Sequence, residues 1–188
     1  MEVYNGSFVH SGRVEVEVAG GRVKIVEGPN QIVAKCKNPD DFEISPGVIS
    51  TEGCEVEISL GNVETLGLDV AGGYVAAALR LNNLRAEIAG GVVDAELNLG
   101  RGVVAIESSG GAFAGRLNYS PFEGVSKLEV SVSGGVVNLS LGLPPDVGIS
   151  PHISAVGGIV EVPEPRPGGR GVVDIFIEAA GGAVKISR

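Results

Sequence analysis

The sequence has no tryptophan and few aromatic residues, with 3 Tyr and 5 Phe in 188 residues. Basic residues are also scarce, since 14 Lys and Arg stand against 23 Asp and Glu, for a net charge of −9. Such an acidic chain is poorly suited to bind nucleic acid or an anionic membrane surface electrostatically. We therefore exclude both as leading functions and expect neither nucleic-acid binding nor direct membrane insertion.

Long apolar runs are absent as well. No stretch reaches the roughly 18 apolar residues of a transmembrane helix, and residues 1–7 lack the basic and apolar segments of a secretory signal. These features predict a cytoplasmic protein. Association with the cell envelope through another component is the alternative.

Groups that bind metals or form disulfides are few. The two cysteines, Cys36 and Cys54, have no CxxC spacing and are too few for a disulfide scaffold, so free thiols and one bridge both stay open. The two histidines, His10 and His152, belong to no HxH or HxxxH pair, and a zinc site would need further ligands. We expect no metal and no cofactor.

Glycine is abundant, at 30 residues, and much of it occurs in pairs that precede β-branched residues. The pairs are Gly20-Gly21, Gly72-Gly73, Gly90-Gly91, Gly110-Gly111, Gly134-Gly135, Gly157-Gly158 and Gly181-Gly182. From Gly72 onward they recur every 18 to 24 residues, and residues 46–49 supply a degenerate copy in the longer gap before it. The sequence therefore predicts about eight degenerate repeats.

Segments between these pairs alternate apolar and polar residues with the period of two that is typical of strands. Examples are residues 14–18, 55–60, 127–132, 137–141 and 174–178. Further turn signals at Gly102, Gly124, Gly148 and Gly171 divide the later repeats into two strands each. We predict an all-β, single-domain β-solenoid over residues 1–188, with an antiparallel β-sandwich as the alternative.

Three segments need separate interpretation. The alanine-rich stretch 76–81 is predicted as a strand, because strand-like residues precede it. Residues 163–170 are rich in Pro and Gly and are predicted to form a protruding loop. Residues 1–13 are expected to cap the N-terminal end of the solenoid.

The Gly-Gly-x-Val-x-Leu turn at residues 134–139, the Leu-Pro-Pro-Asp corner at residues 143–146 and the next Gly-Gly turn at residues 157–158 follow one another within residues 130–162. This arrangement resembles the bacterial and archaeal putative-adhesin domains, also called toast-rack domains, and more distantly the bactofilin-like β-helices. The resemblance implies a β-solenoid of unknown function that acts as a non-enzymatic scaffold, often at the cell envelope. It implies no catalytic residues.

Enzymatic signals are weak. No GxSxG motif is present, and residues 108–111 have the pattern of a repeat corner rather than of a nucleophile elbow. Asp40, Asp41 and Glu43 are expected to form a solvated acidic loop. Carboxylates on two different repeats could in principle act as a glycosidase pair, so a polysaccharide-active enzyme stays as the weakest alternative.

The favoured function is a non-enzymatic structural or protein-interaction scaffold. A solenoid leaves unpaired backbone groups at its terminal strands, and the chain ends in the alternating strand 183–186, so Val184 and Ile186 are the candidate interaction residues. The expected partner is a second copy, in a dimer or a filament, or another protein. The alternative is an adhesin-like module that binds a glycan or a cell surface.

Overall fold

The structure, a computed structural model, describes residues 1–188 and contains 17 β-strands and a single 3-10 turn, Pro39–Asp41. The strands are β1 (Glu2–Ser7), β2 (Arg13–Glu27), β3 (Gln31–Lys35), β4 (Phe42–Ser45), β5 (Val48–Thr51), β6 (Cys54–Leu60), β7 (Thr65–Leu81), β8 (Asn83–Ile88), β9 (Val92–Leu99), β10 (Val103–Ser108), β11 (Ala112–Tyr119), β12 (Gly124–Val132), β13 (Val136–Gly142), β14 (Val147–Ala155), β15 (Ile159–Glu161), β16 (Gly171–Ala179) and β17 (Ala183–Ser187). Stretch 76–81 lies within β7, so its prediction as a strand is confirmed. None of the helical segments has the length and apolarity to cross a bilayer.

The strands stack into eight rungs, each made of two strands or of the two halves of one long strand. Sheet 1 consists of β5, the first halves of β2 and β7, β8, β10, β12, β16 and β14, in that spatial order. Sheet 2 consists of β6, the second halves of β2 and β7, β9, β11, β13, β17 and β15. Neighbouring strands in both stacks are parallel, which confirms the β-solenoid and excludes the antiparallel sandwich.

Alternating apolar residues form the interior. In sheet 1, Leu84, Val104 and Leu128 occupy the same register position on successive strands, and all three are buried. Equivalent columns from both sheets join into one cluster of 48 buried residues that runs through the whole stack. Each fully buried aliphatic side chain stabilises the fold by roughly 1.5–3 kcal/mol.

The glycine pairs lie at the corner between the two sheets, where successive rungs approach most closely. A Cβ atom on Gly135 would lie 2.2 Å from the carbonyl oxygen of Gly111, and a Cβ atom on Gly182 would lie 2.2 Å from that of Gly135. Backbone atoms cannot yield to such contacts as a flexible side chain would, so any other residue would push the rungs apart. The close stacking explains why the pairs recur in the sequence.

The rungs do not stack in the order of the chain. The rung formed by β2 lies between β5–β6 and β7, and the C-terminal rung β16–β17 lies between β12–β13 and β14–β15. The prediction that Val184 and Ile186 form a terminal edge is therefore wrong. Their strand, β17, pairs with β13 on one side and β15 on the other, and both side chains are buried.

The Pro- and Gly-rich segment 163–170 does not protrude, contrary to the prediction. Arg166 pairs with Ile149 through two backbone hydrogen bonds of 2.8 and 3.1 Å, as an antiparallel bridge. The Arg166 guanidinium also donates to the carbonyl oxygens of Pro144, at 3.2 Å, and Val147. The segment thus connects the terminal rung β14–β15 to the rung β16–β17, which lies between that terminal rung and β12–β13. It also covers the beginning of the outer edge of β14.

The opposite end of the stack is closed by antiparallel strands. β3 pairs with β6, β1 pairs with β3, and β4 pairs with β5. Residues 1–13 contribute β1 and the buried Phe8, and Phe42 is buried beside them. A disulfide joins Cys36 to Cys54, which resolves the alternative that the sequence left open. We call this end the closed end, and the end formed by β14 and β15 the open end.

Candidate functional site

The open end exposes residues that would be core elsewhere in the stack. Ile153 lies in register with Ile177 of the next rung, yet its side chain is 49 % exposed while that of Ile177 is 1 % exposed. Ala155 is also exposed although its register partner Ala179 is buried, and the adjoining turn leaves Val156 80 % exposed. The apolar interior of the solenoid therefore meets solvent on this surface.

The backbone of β14 also has an unpaired edge. Successive residues of a strand direct their N–H and C=O groups to opposite sides. Ile149 bonds outward to Arg166. Pro151, Ile153 and Ala155 follow it at steps of two residues along β14, so their backbone polar groups also point away from β16. Pro151 has no N–H to offer, which is the usual position of proline on an edge strand. Ile153 and Ala155 present both a donor and an acceptor.

Charge is nearly absent from this surface. Residues 147–161 contain one formal charge, that of Glu161. The ring of His152 stacks on Phe176 at 4.7 Å between centroids, with an interplanar angle of 12°. Because β14 is the last strand of sheet 1, the opposite face of the His152 ring points past the end of the stack. Residues 150–160 of the open end therefore carry no charge that would repel a second apolar edge.

The predicted interaction residues lie one rung inside this surface. Val184 is in register with Val160 of β15, which covers it on the side of the open end. Ile153 and Ala155 were not predicted, although residues 147–161 carried a signal in the form of a long stretch with one charge and an edge-compatible proline. Stacking order decides which rung is terminal, and that order is not visible in the repeat pattern.

The outer face of sheet 1 is strongly acidic. Glu17, Asp69, Glu87 and Glu107 occupy one outward column on four successive rungs. Carboxylates in register on adjacent strands repel one another, which costs stability. The column carries no group of His, Cys, Asp and Glu side chains arranged to hold a metal ion.

An ion-pair network relieves part of this repulsion. Arg85 binds Glu15 at 2.8 Å and Glu87 at 3.0 Å. Burial alone would lower the pKa of Arg85, but the two carboxylates outweigh it and raise the pKa above its usual value. The Glu15 side chain reaches Arg85 over Gly67, where a Cβ atom would lie 2.1 Å from the carboxylate. The pairing across two rungs therefore depends on a glycine in between.

The two histidines lie at opposite ends of the molecule and cannot share a ligand. At the closed end the His10 Nδ1 accepts from the Gly12 N–H at 2.9 Å, and its Nε2 contacts the Asn30 Oδ1 at 3.1 Å. His152 lies on β14 at the open end. Each makes local contacts that position loops or strands.

The open end thus combines exposed apolar side chains with unpaired backbone groups. No protein-family model matches this sequence, and no curated protein matches it either. One solved structure is similar. It is the crystal structure of a putative cell adhesion protein from Clostridium sporogenes ATCC 15579, with 13 % sequence identity and a TM-score of 0.50 over 94 % of this chain and 93 % of that chain. At this identity the similarity concerns the fold alone.

Proposed function

We propose that the protein is a non-enzymatic interaction module that pairs with a second copy of itself through the open end. One observation carries this proposal: the terminal rung β14–β15 exposes core residues and unpaired backbone groups at the same place. Strand edges of this kind pair readily with another strand unless charges or coverage prevent it. The segment 163–170 covers the edge only as far as Ile149.

A head-to-head dimer fits the two ends better than a filament does. A filament would require the closed end as the second surface, but that end carries Glu2, Asp40, Asp41 and Glu43 around its edge strands. Pairing of two open ends about a two-fold axis uses the same surface on both copies and closes after two subunits. β14 spans about 30 Å, and two packed sheets with their side chains are about 20 Å deep. The contact would bury roughly 1,200 Å² in total, within the range of specific interfaces.

Substitution of one exposed residue tests this proposal. Ile153→Glu places a charge where the apolar surfaces would meet, and we expect it to convert dimers to monomers of 19.1 kDa. Val103→Glu is the matched control, since Val103 is 42 % exposed on sheet 1 away from the open end. The readout is light scattering coupled to size-exclusion chromatography over a concentration series. A dimer that survives Ile153→Glu would overturn the assignment to the open end.

Adhesion at a cell surface is the second candidate function. The similar structure is described as a putative cell adhesion protein, and the disulfide is of the kind that persists in oxidising compartments outside the cytoplasm. Both favour an exported or envelope-associated protein over the expected cytoplasmic one, and membership of the toast-rack family stays a prediction. Binding to a glycan array by the purified protein would support adhesion. Absence of binding by both monomer and dimer would favour the scaffold.

A further inference from the structure

The outer face of sheet 2 differs sharply from that of sheet 1. Its first outward column, next to the glycine corner, consists of apolar residues on six successive rungs. They are Tyr74, Val92, Ala112, Val136, Ala183 and Ile159. Tyr74, Val92, Val136 and Ile159 are among the most exposed large hydrophobic residues of the chain. The column runs for about 24 Å along the stack, at about 4.8 Å per rung.

The neighbouring outward column is small and nearly neutral. It contains Ala76, Asp94, Ala114, Asn138, Lys185 and Glu161 on the same rungs. A third outward column holds Ala78, Glu96, Arg116, Ser140 and Ser187. The charges in these two columns nearly balance, with three acidic and two basic residues. Sheet 2 therefore presents a face of low net charge, whereas the face of sheet 1, with its acidic column, would repel a copy of itself.

One pair of opposite charges on sheet 2, Asp94 and Lys185, is arranged symmetrically about a line between β11 and β13. Asp94 lies on the second rung of the apolar column and Lys185 on the fifth, at equal distances from that line. A two-fold axis along this line places Asp94 of each copy opposite Lys185 of the other. It also sets the apolar columns against each other, with Val92 opposite Ala183 and Ala112 opposite Val136. Glu161 falls opposite Ala76, so no like charges lie directly opposite each other.

We propose that a second copy of this chain docks on the outer face of sheet 2, face to face and with the two stacks antiparallel. Self-complementarity of this kind is what a two-fold interface requires, whereas a different partner would not need it. The face measures about 24 Å by about 20 Å, so the dimer would bury roughly 1,000 Å² in total. This lies near the lower limit for a specific interface, and we expect dissociation in the micromolar range.

This docking mode is separate from pairing of the open ends. Its surface lies along the stack rather than at its end, and the two modes share only Ile159. A chain that used both would assemble beyond the dimer, since each copy would then offer two different surfaces.

Charge reversal with rescue tests the face-to-face dimer. Asp94→Lys and Lys185→Asp should each place like charges together and raise the dissociation constant by roughly tenfold or more. The double variant Asp94→Lys/Lys185→Asp restores both pairs with opposite polarity, so it should recover most of the association. Glu107→Lys, an exposed acidic residue on sheet 1, is the control and should leave the association unchanged. Sedimentation velocity at low and high salt is the readout.

The possible results separate the two interfaces. Loss of association with Asp94→Lys and its recovery in the double variant would support the face-to-face dimer. If Ile153→Glu abolishes association but the charge reversals leave it intact, the face-to-face dimer is overturned. Pairing through the open ends would then be supported. A monomer at every concentration would overturn both, and a double variant no better than the single ones would overturn the Asp94–Lys185 pairing.

Discussion

The two ends of this solenoid differ in how far they cover the apolar interior and the unpaired backbone groups of the terminal strands. At the closed end antiparallel strands, buried Phe8 and Phe42 and the disulfide cover the interior. At the open end a loop covers the edge of β14 only up to Ile149, and Ile153 is left half exposed. A stack of similar rungs cannot cap itself with another rung, because each added rung exposes a new edge. Antiparallel strands and the buried Phe8 and Phe42 therefore close the stack at one end only.

Truncating a core residue at each end should give the largest contrast. Phe8→Ala removes a side chain that is 3 % exposed and should cost about 3–5 kcal/mol of unfolding free energy. Ile153→Ala should cost less than about 1 kcal/mol, because half of that side chain is already in water. Urea unfolding at low protein concentration, where association does not contribute, measures both values. Equal losses would show that the open end is covered in solution.

Removing the disulfide should weaken the closed end by about 3 kcal/mol, the loop-closure contribution for a separation of 18 residues. The double variant Cys36→Ala/Cys54→Ala should therefore unfold at lower urea concentration than the parent chain. Reductant should destabilise the parent and leave the double variant unchanged, which separates loss of the cross-link from loss of packing. No effect of reductant on the parent would contradict a structural disulfide.

Two tyrosines in similar aromatic pairs should respond oppositely to loss of the hydroxyl. Tyr4 packs near Phe42, and its hydroxyl donates to the Ser7 carbonyl oxygen at 2.6 Å. Tyr119 packs near Phe122 in the rung formed by β10 and β11, and its buried hydroxyl has no hydrogen-bond partner. Tyr4→Phe should cost about 0.5 kcal/mol, and Tyr119→Phe should be neutral or slightly stabilising at neutral pH. Urea midpoints for the two variants give the comparison.

The same Tyr119 hydroxyl predicts a pH dependence. Burial raises the pKa of Tyr119 above its ordinary value of 10.0. The unfolded chain then loses this proton first, so the free energy of unfolding is independent of this group below about pH 10 and falls as the pH rises further. Unfolding measured from pH 8 to pH 11 should show a loss that Tyr119→Phe reduces. Identical alkaline profiles for the two chains would argue against a buried phenol.

Much of the fold could be predicted because its determinants are local. The period of two in segments such as 127–132 sets which side chains face inward, and each glycine pair marks a corner where backbones stack. The number of rungs and the strand at residues 76–81 follow from those patterns. The interaction residues could not be placed in the same way, since Val184 and Ile153 both belong to apolar alternations and differ only in which neighbour covers them.

The amino-acid sequence by itself determined the two-strand repeat, the inward and outward faces and the balance of charge, because these depend on residue type and on periods of a few residues. Only the tertiary structure decided that β16–β17 inserts before β14–β15, that segment 163–170 folds over the edge, and that Cys36 meets Cys54. Those outcomes depend on competition among rungs of similar apolar character and on pairings between distant segments. The same order of stacking determines that β14 and β15 form the end that stays open.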